Sequence, residues 1–348
     1  MNGGGAERVV LTLLTHLDKT KFEPTLVLLK KEGHYLPLVP KDIKIIDLQV
    51  TQARYALFKI VQLVKKEKPD IIFTTLAYLN LIIALIIPLF KNSVMFIARE
   101  SNTVSVRNKR EKYPKIFDWL YRNIYKNFHH IVTQAEAMRE DLQKNYKIPV
   151  SKMQIIYNPV DSNYIRSMSL KKSELLPKTK YNLLAVGRLD YEKGFDLLLQ
   201  SISQLDKSYH LTILGEGEEK ETLLLQTKAL KLENQVTFAG FTDNPYAYMK
   251  EADLLVLSSR YEGLPNVILE ANCCGTPVVA YDSAGGTGEI VHNGENGYLV
   301  PPFDTVLFAK TIEKARHHTF DSQTIAQHTE ELFGINKVIQ KYENLFLS

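Results

Sequence analysis

The chain has 348 residues and a mass of 39.8 kDa, room for about two domains at ~100–200 residues each. With 45% hydrophobic and 24% charged residues, it is neither a disordered chain, a fibrous repeat nor a polytopic membrane protein. Its two cysteines, Cys273 and Cys274, are adjacent, which excludes a disulfide scaffold and a cysteine-rich zinc module. The net charge of +4 divides unevenly: residues 1–160 carry 25 Lys+Arg against 14 Asp+Glu (net +11), and the remainder carries 18 against 25 (net −7). Such asymmetry implies two surfaces with different partners. An anionic membrane or a phosphorylated acceptor fits the basic half. No zinc-finger, RNA-motif or basic-zipper pattern appears, so nucleic acid is not an expected partner.

Taken in chain order, short apolar runs alternate with amphipathic stretches, the pattern of α/β units with parallel sheets. Strands are predicted at Pro24–Leu29, Ile43–Leu48, Ile71–Thr75, Val94–Ala98, Ile131–Thr133 and Gln154–Tyr157. Helical spacing of Leu57, Ile60, Val61 and Val64 predicts a helix over Tyr55–Lys66. Residues 71–90 are a 20-residue stretch without a charge, nominally long enough to span a bilayer. Thr74, Thr75 and Pro88 interrupt it, so the expectation is a buried strand followed by a buried helix over Leu79–Leu89. From Tyr113 to Phe128, Ile116, Phe117, Trp119, Leu120, Tyr121, Ile124 and Tyr125 are interleaved with Lys115, Arg122 and Lys126. That reads either as a basic amphipathic helix on a membrane surface or as a core helix with solvated lysines. Glu7 and Arg8 precede any apolar run, so no signal peptide is expected and the protein is expected in the cytoplasm.

The pattern breaks at Asn158-Pro159-Val160-Asp161, which predicts an N-terminal domain over residues 1–160 and a second over 161–348. The second half restarts the alternation, with strands at Asn182–Val186, Leu211–Leu214, Val236–Phe238, Leu254–Leu257, Pro277–Ala280 and Gly297–Val300. Helices are predicted at Gly194–Gln204, Glu219–Leu230, Pro265–Cys274, Thr305–Arg316, Ser322–Leu332 and Ile335–Leu347, the last able to pack back on the N-terminal domain. Two Rossmann-like domains facing each other would leave a cleft, with ligands at the carboxyl ends of the strands.

Three motifs carry chemistry. Gly187-Arg188 to Lys193-Gly194 joins a strand to a helix, where backbone N–H groups, a planar guanidinium and an ammonium suit a diphosphate. Gly215-Glu216-Gly217 makes a second strand-to-helix turn, but Glu218-Glu219-Lys220 after it exclude a dinucleotide fingerprint. In Glu262-Gly263-Leu264-Pro265 through Glu270, two carboxylates lie eight positions apart, with Glu262 at a helix mouth and Glu270 within the helix. Carboxylates accept hydrogen bonds from sugar and ribose hydroxyls.

This last run, with Phe238-Ala239-Gly240-Phe241 before it and Asn296-Gly297-Tyr298 after it, resembles the donor-binding half of the retaining group 1 glycosyltransferases. The resemblance covers nearly the whole chain, most strongly residues 181–302. It implies an α/β GT-B fold of two Rossmann-like domains, acceptor-side first and nucleotide-sugar-binding second. Arg188 and Lys193 would hold the donor diphosphate, Glu262 would contact the transferred sugar and Glu270 the ribose. The backbone at Gly263 and Leu264 would meet the phosphates, with Gly187, Gly215 and Gly240 in the donor site. Gly4 and Gly5, in the run Gly3-Gly4-Gly5-Ala6-Glu7-Arg8, would let an N-terminal loop approach the donor. Many members place a histidine after the fourth or fifth strand. Here that stretch reads Ala98-Arg99-Glu100-Ser101-Asn102, so Glu100 is expected as a catalytic group and Arg99 and Asn102 at the acceptor side. No Asp-any-Asp triplet occurs, so no metal and no other cofactor is expected.

The resemblance thus implies transfer of a hexose or N-acetylhexosamine from a nucleotide-sugar, such as a UDP-sugar, to a glycan or lipid-diphosphate-linked glycan. The setting would be bacterial surface-polysaccharide assembly, with peripheral contact at the inner face of an anionic membrane. The alternatives are a nucleotide-sugar epimerase of the same fold, or an inactive nucleotide-binding or membrane-docking relative. In the resembled fold a hydrophobic first strand precedes the glycine run. The sequence opens at that run, which leads to the expectation of an N-terminal sheet lacking its first strand, from a start site placed about ten residues late.

Overall fold

A computed structural model describes residues 4–52, 55–171 and 176–348; Gly3 of the N-terminal glycine run lies outside them. The chain divides into two compact units, Met1–Pro159 with Asn336–Ser348, and Val160–Ile335. The first unit runs α1 (Gly5–His16), β1 (Thr25–Leu28), β2 (Lys44–Asp47), α2 (Ala56–Glu67), β3 (Ile71–Thr74) and α3 (Ala77–Phe90). It continues with β4 (Met95–Arg99), α4 (Val104–Asn108), α5 (Pro114–Asn123), β5 (His130–Thr133), α6 (Glu136–Tyr146) and β6 (Met153–Ile155). The second contains α7 (Ser162–Ser169), β7 (Tyr181–Val186), α8 (Phe195–Ile202), β8 (Tyr209–Leu214), α9 (Lys220–Ala229), β9 (Val236–Gly240) and α10 (Pro245–Glu251). After these come β10 (Leu254–Leu257), α11 (Asn266–Cys273), β11 (Val278–Tyr281), α12 (Thr287–Ile290), β12 (Gly297–Val300), α13 (Thr305–Arg316) and α14 (Ser322–Phe333). The final helix, α15 (Ile335–Phe346), returns to the first unit.

The second unit is built on one six-stranded parallel sheet in the order β12-β11-β10-β7-β8-β9. Every residue of β10 and β11 is buried, which is why Leu254-Leu255-Val256-Leu257 and Val278-Val279-Ala280-Tyr281 read as unbroken apolar runs. Helices cover both faces of such a sheet, so no side of the strand can be polar. The chain fills β7, β8 and β9 outward in one direction, then returns to set β10 on the other side of β7. The topological switch point therefore lies between β7 and β10, where ligands bind in open α/β sheets.

The strands of the first unit fall into two parallel sheets, β1-β2 and β3-β4-β5-β6. Among the described residues β1 pairs only with β2, and β3 only with β4. The consequence shows in burial: Ile71, Ile72 and Phe73 are only half-buried, whereas β4 is buried from Phe96 to Arg99. From α15, Phe346 packs edge-on against both Phe22 and Phe73, at 5.9 and 5.7 Å between ring centroids.

The uncharged run 71–90 forms β3 and the 14-residue α3, and among the described residues no helix is long and apolar enough to cross a membrane. The aromatic stretch Tyr113–Phe128 is not one helix. It breaks after Asn123 into a 3-10 turn, Tyr125–Asn127, with Tyr125 and Phe128 fully buried.

Candidate active site

The loop from β7 to α8 and the loop from β10 to α11 flank the switch point, and they are fastened to each other through backbone and side chain. Gly194 adopts φ +63°, and a Cβ there would lie 2.2 Å from the Ser258 carbonyl oxygen, so only glycine permits the approach. The Ser258 hydroxyl donates to the Lys193 carbonyl at 3.0 Å, and the Arg260 amide donates to the Glu192 carbonyl at 2.8 Å. The Arg260 guanidinium lies over the Tyr191 ring, 3.9 Å from its centroid, and grips the Asp196 carboxylate with two bonds of 2.8 and 2.7 Å. This planar, bidentate contact fixes the register of one loop on the other.

Within that frame, the Lys193 ammonium donates to Glu262 Oε1 at 2.7 Å, and the Ser259 hydroxyl donates to the same oxygen at 2.7 Å. The two charged side chains are 19% and 11% exposed. Burial alone would lower the Lys193 ammonium, but the carboxylates of Glu262 and Glu192 outweigh it and hold it above its ordinary value. Lys193 is therefore a fixed cation, with donor hydrogens left for a further acceptor. Burial pushes the Glu192 carboxyl up, reinforced by Asp190 and Glu262 against the opposing pull of Lys193 and Arg188. Arg188 extends from the same loop with its side chain 70% exposed, touching Glu192 at 2.8 Å and Asp190 at 3.2 Å.

On the other side of β7 the predicted glycines form a row. The Gly187 amide donates to Leu214 and the Gly215 amide to Gly240, at 3.0 and 2.8 Å. Gly215 has φ +142°, and a Cβ would sit 1.9 Å from the Gly187 carbonyl oxygen. Gly187, Gly215 and Gly240 thus bring three strand ends together, with the Lys193 stem against Gly187 and the Glu216 carboxylate beside Gly240. Next to Glu262, Gly263 and Leu264 are buried at the approach to α11. The Gly286 amide donates to the Gly263 carbonyl at 2.6 Å, and the Glu262 amide to the Ala284 carbonyl at 2.8 Å. Glu270 lies on α11, half-buried.

Residues expected on the acceptor side sit differently. Glu100 is 1% exposed, and its Oε1 accepts from the hydroxyls of Tyr121 (3.0 Å) and Tyr125 and from the Asn80 amide (3.1 Å). Arg107 stands 3.6 Å from its other oxygen. Burial, then the Glu100 charge, pushes both phenols well above their usual range. Arg99 is also 1% exposed, bonded to Thr75 and Asn158. Glu100 and Arg99, expected at the acceptor side, are thus both buried within the first unit. Buried charges need partners, and those named here meet only part of the need: Arg99 Nε and Glu100 Oε2 are buried without a hydrogen bond. Asn102, half-buried, accepts from the Thr103 amide at 2.8 Å where α4 begins. Gly4 precedes α1 and donates to the Glu7 carboxylate at 3.0 Å; Gly5 opens that helix rather than lying in a loop. Among the described residues, no group of three or more His, Cys, Asp or Glu could hold a metal ion.

The family model for glycosyl transferases group 1 matches residues 168–329, and that of Glycosyltransferase Family 4 matches residues 3–164. A relative from Campylobacter jejuni is 32% identical over 311 residues, covering 86% of this chain and 83% of its own length. It is named as an N-acetylgalactosamine-N,N'-diacetylbacillosaminyl-diphospho-undecaprenol 4-alpha-N-acetylgalactosaminyltransferase. The chain belongs to the group 1 glycosyltransferases. The amylovoran biosynthesis glycosyltransferase AmsD of Erwinia amylovora is 26% identical, covering 90% of this chain and 86% of its own. Among solved structures, Anabaena Alr3699/HepE in complex with UDP-glucose superposes with a TM-score of 0.83 at 20% identity, over 99% of this chain and 96% of that one. Sucrose-phosphate synthase from Thermosynechococcus elongatus gives 0.82 at 18%, over 99% and 93%. The fold is GT-B.

In this glycosyltransferase the structure joins Lys193 to Glu262, two residues 69 positions apart that sequence reading singled out separately. It also adds Ser259, Asp196 and Glu192, which that reading gave no role. Ser259 sits three residues before Glu262 within the motif, and that adjacency was the only signal available. Nothing in the spacing ties Asp196 to Arg260.

Proposed function

We propose that this glycosyltransferase takes a nucleoside diphosphate-linked sugar, specifically a UDP-hexose or UDP-N-acetylhexosamine. It passes the sugar with retention of configuration to a glycan or lipid-diphosphate-linked glycan in surface-polysaccharide assembly. The observation that carries the reading is the Lys193–Glu262 pair, held at 2.7 Å between the two loops of the switch point. Breaking the bond between the anomeric carbon and the diphosphate builds negative charge on the departing phosphate. A positioned cation in a partly dry site stabilises that charge more than water does. Lys193 supplies the fixed cation, and Arg188 a mobile fork able to follow the diphosphate. Glu262 orients the ammonium and accepts from a sugar hydroxyl, and Glu270 accepts from the ribose. The glycine row lets the nucleotide lie against backbone.

The similar proteins support this chemistry. The Campylobacter relative forms an α linkage on a diphospho-undecaprenol acceptor, and the Anabaena structure holds UDP-glucose. An α product from an α-linked nucleotide-sugar is retention. The test is a thermal-shift screen of UDP-, GDP- and CMP-sugars, followed by NMR of the anomeric proton in the product formed with the hit and a lipid-diphosphate glycan. Stabilisation by a UDP-sugar and an α product are expected. A β product would overturn retention, and no shift with any nucleotide-sugar would overturn the site.

A further inference from the structure

In the loop from β7 to α8, one carboxylate oxygen of the chain itself reaches both cations assigned to the donor diphosphate. Glu192 Oε1 lies 2.8 Å from the Arg188 guanidinium and 3.9 Å from the Lys193 ammonium. The loop does not need this contact to keep its shape. Gly194 against Ser258, the Ser258 hydroxyl on Lys193 and the Arg260 amide on Glu192 fasten it through backbone atoms. Lys193 has a closer partner in Glu262, at 2.7 Å.

Charge around Glu192 is crowded on the negative side. Arg188 and Lys193 face three carboxylates, Asp190 and Glu192 from the same loop and Glu262 from the loop after β10. The guanidinium of Arg260, also from the loop after β10, is taken by Asp196. Asp190 stands 3.2 Å from Arg188, and its Oδ1 is buried without a hydrogen bond. Burial, reinforced by Asp190 and Glu262, holds the Glu192 carboxyl above its ordinary value despite Lys193 and Arg188. A carboxylate in that position is less stable as an anion than it is in water. It is a weakly held occupant, and the 70% exposure of its Arg188 partner leaves the guanidinium free to swing to another anion.

We propose that the Glu192 carboxylate is an internal stand-in for the donor's phosphate, which a diphosphate must displace before it bridges Arg188 and Lys193. By reclaiming both cations after transfer, Glu192 hastens loss of the nucleoside diphosphate product. This deepens the donor reading above and rests on it.

The test is calorimetry with UDP at mildly alkaline pH, where its terminal phosphate is fully ionised. Glu192→Gln should bind UDP about fivefold more tightly than wild type, the upper end for releasing an exposed ion pair. Glu192→Ala, which also frees the cations, should show the same gain. Glu233→Gln makes the same charge change at the opposite end of the sheet, before β9, and should leave binding unchanged. In an Arg188→Gln background, most of the gain from Glu192→Gln should vanish, because the stand-in has lost its main partner. An equal gain in both backgrounds would make Glu192 a repelling charge near the phosphates and overturn the proposal. Unchanged or weaker binding in both Glu192 variants would also overturn it, while leaving the donor reading intact. Wild-type protein that binds no UDP would overturn the donor reading and this proposal with it.

Discussion

Replacing Lys193 by methionine keeps the side-chain stem and deletes the ammonium that Glu262 holds. At 2.7 Å and an effective dielectric of ~20, the two charges attract by ~6 kcal/mol before desolvation. Most of that is offset by taking both groups out of water; removing one partner of a fully buried pair costs ~3–5 kcal/mol. Here the side chains keep 19% and 11% exposure, and the Ser259 hydroxyl remains on Glu262. The expected loss is therefore ~1–3 kcal/mol in urea unfolding. Activity should fall further, about a hundredfold to a thousandfold in kcat/KM, the usual effect of deleting one group aimed at developing charge. Adding Glu262→Gln separates the two consequences. The double variant no longer buries a lone carboxylate, so it should regain most of the stability and none of the transfer. Wild-type turnover by Lys193→Met, or recovered turnover in the double variant, would refute a role for the ammonium on the leaving phosphate.

Gly215→Ala would set a Cβ 1.9 Å from a carbonyl oxygen at φ +142°, and should cost more than ~2 kcal/mol of stability by thermal or urea unfolding; a neutral result would show that the strand ends at the glycine row can move apart. Burial pushes both thiols, Cys273 and Cys274, up to about 12. Neither should react with Ellman's reagent at neutral pH in the native protein, and both should react in denaturant; a fast native reaction would contradict the packing around α11. Hydrogen exchange should be faster across Thr25–Leu28 and Ile71–Thr74, each paired on one side only among the described residues, than across Met95–Arg99. Equal protection would mean that these edges are covered.

The strands of both units, the helices flanking them and the break near Val160 were legible because they depend on local periodicity. A strand buried on both faces must be apolar throughout, as Leu254–Leu257 is, and a helix with one dry face must repeat at helical spacing. The glycines were legible too, as residues required wherever φ is positive or backbones approach closely. Sequence could also nominate Lys193 and Glu262, since each lies in a strand-to-helix loop with chemistry suited to a phosphate or a sugar.

Which charged residues lie buried among partners of their own unit, and which meet across the two loops of the switch point, depended on the tertiary structure. Arg99 and Glu100 look much like Arg188 and Glu262 on paper, a cation and a carboxylate beside a strand end. In the fold, Tyr121, Tyr125, Asn80 and Arg107 close over Glu100, whereas Lys193 and Glu262 meet only because β10 returns to the side of β7. Periodicity reports which way a residue faces along its own element. The partners of a charge come from elements tens of residues away, and their arrival depends on the order in which strands join the sheet.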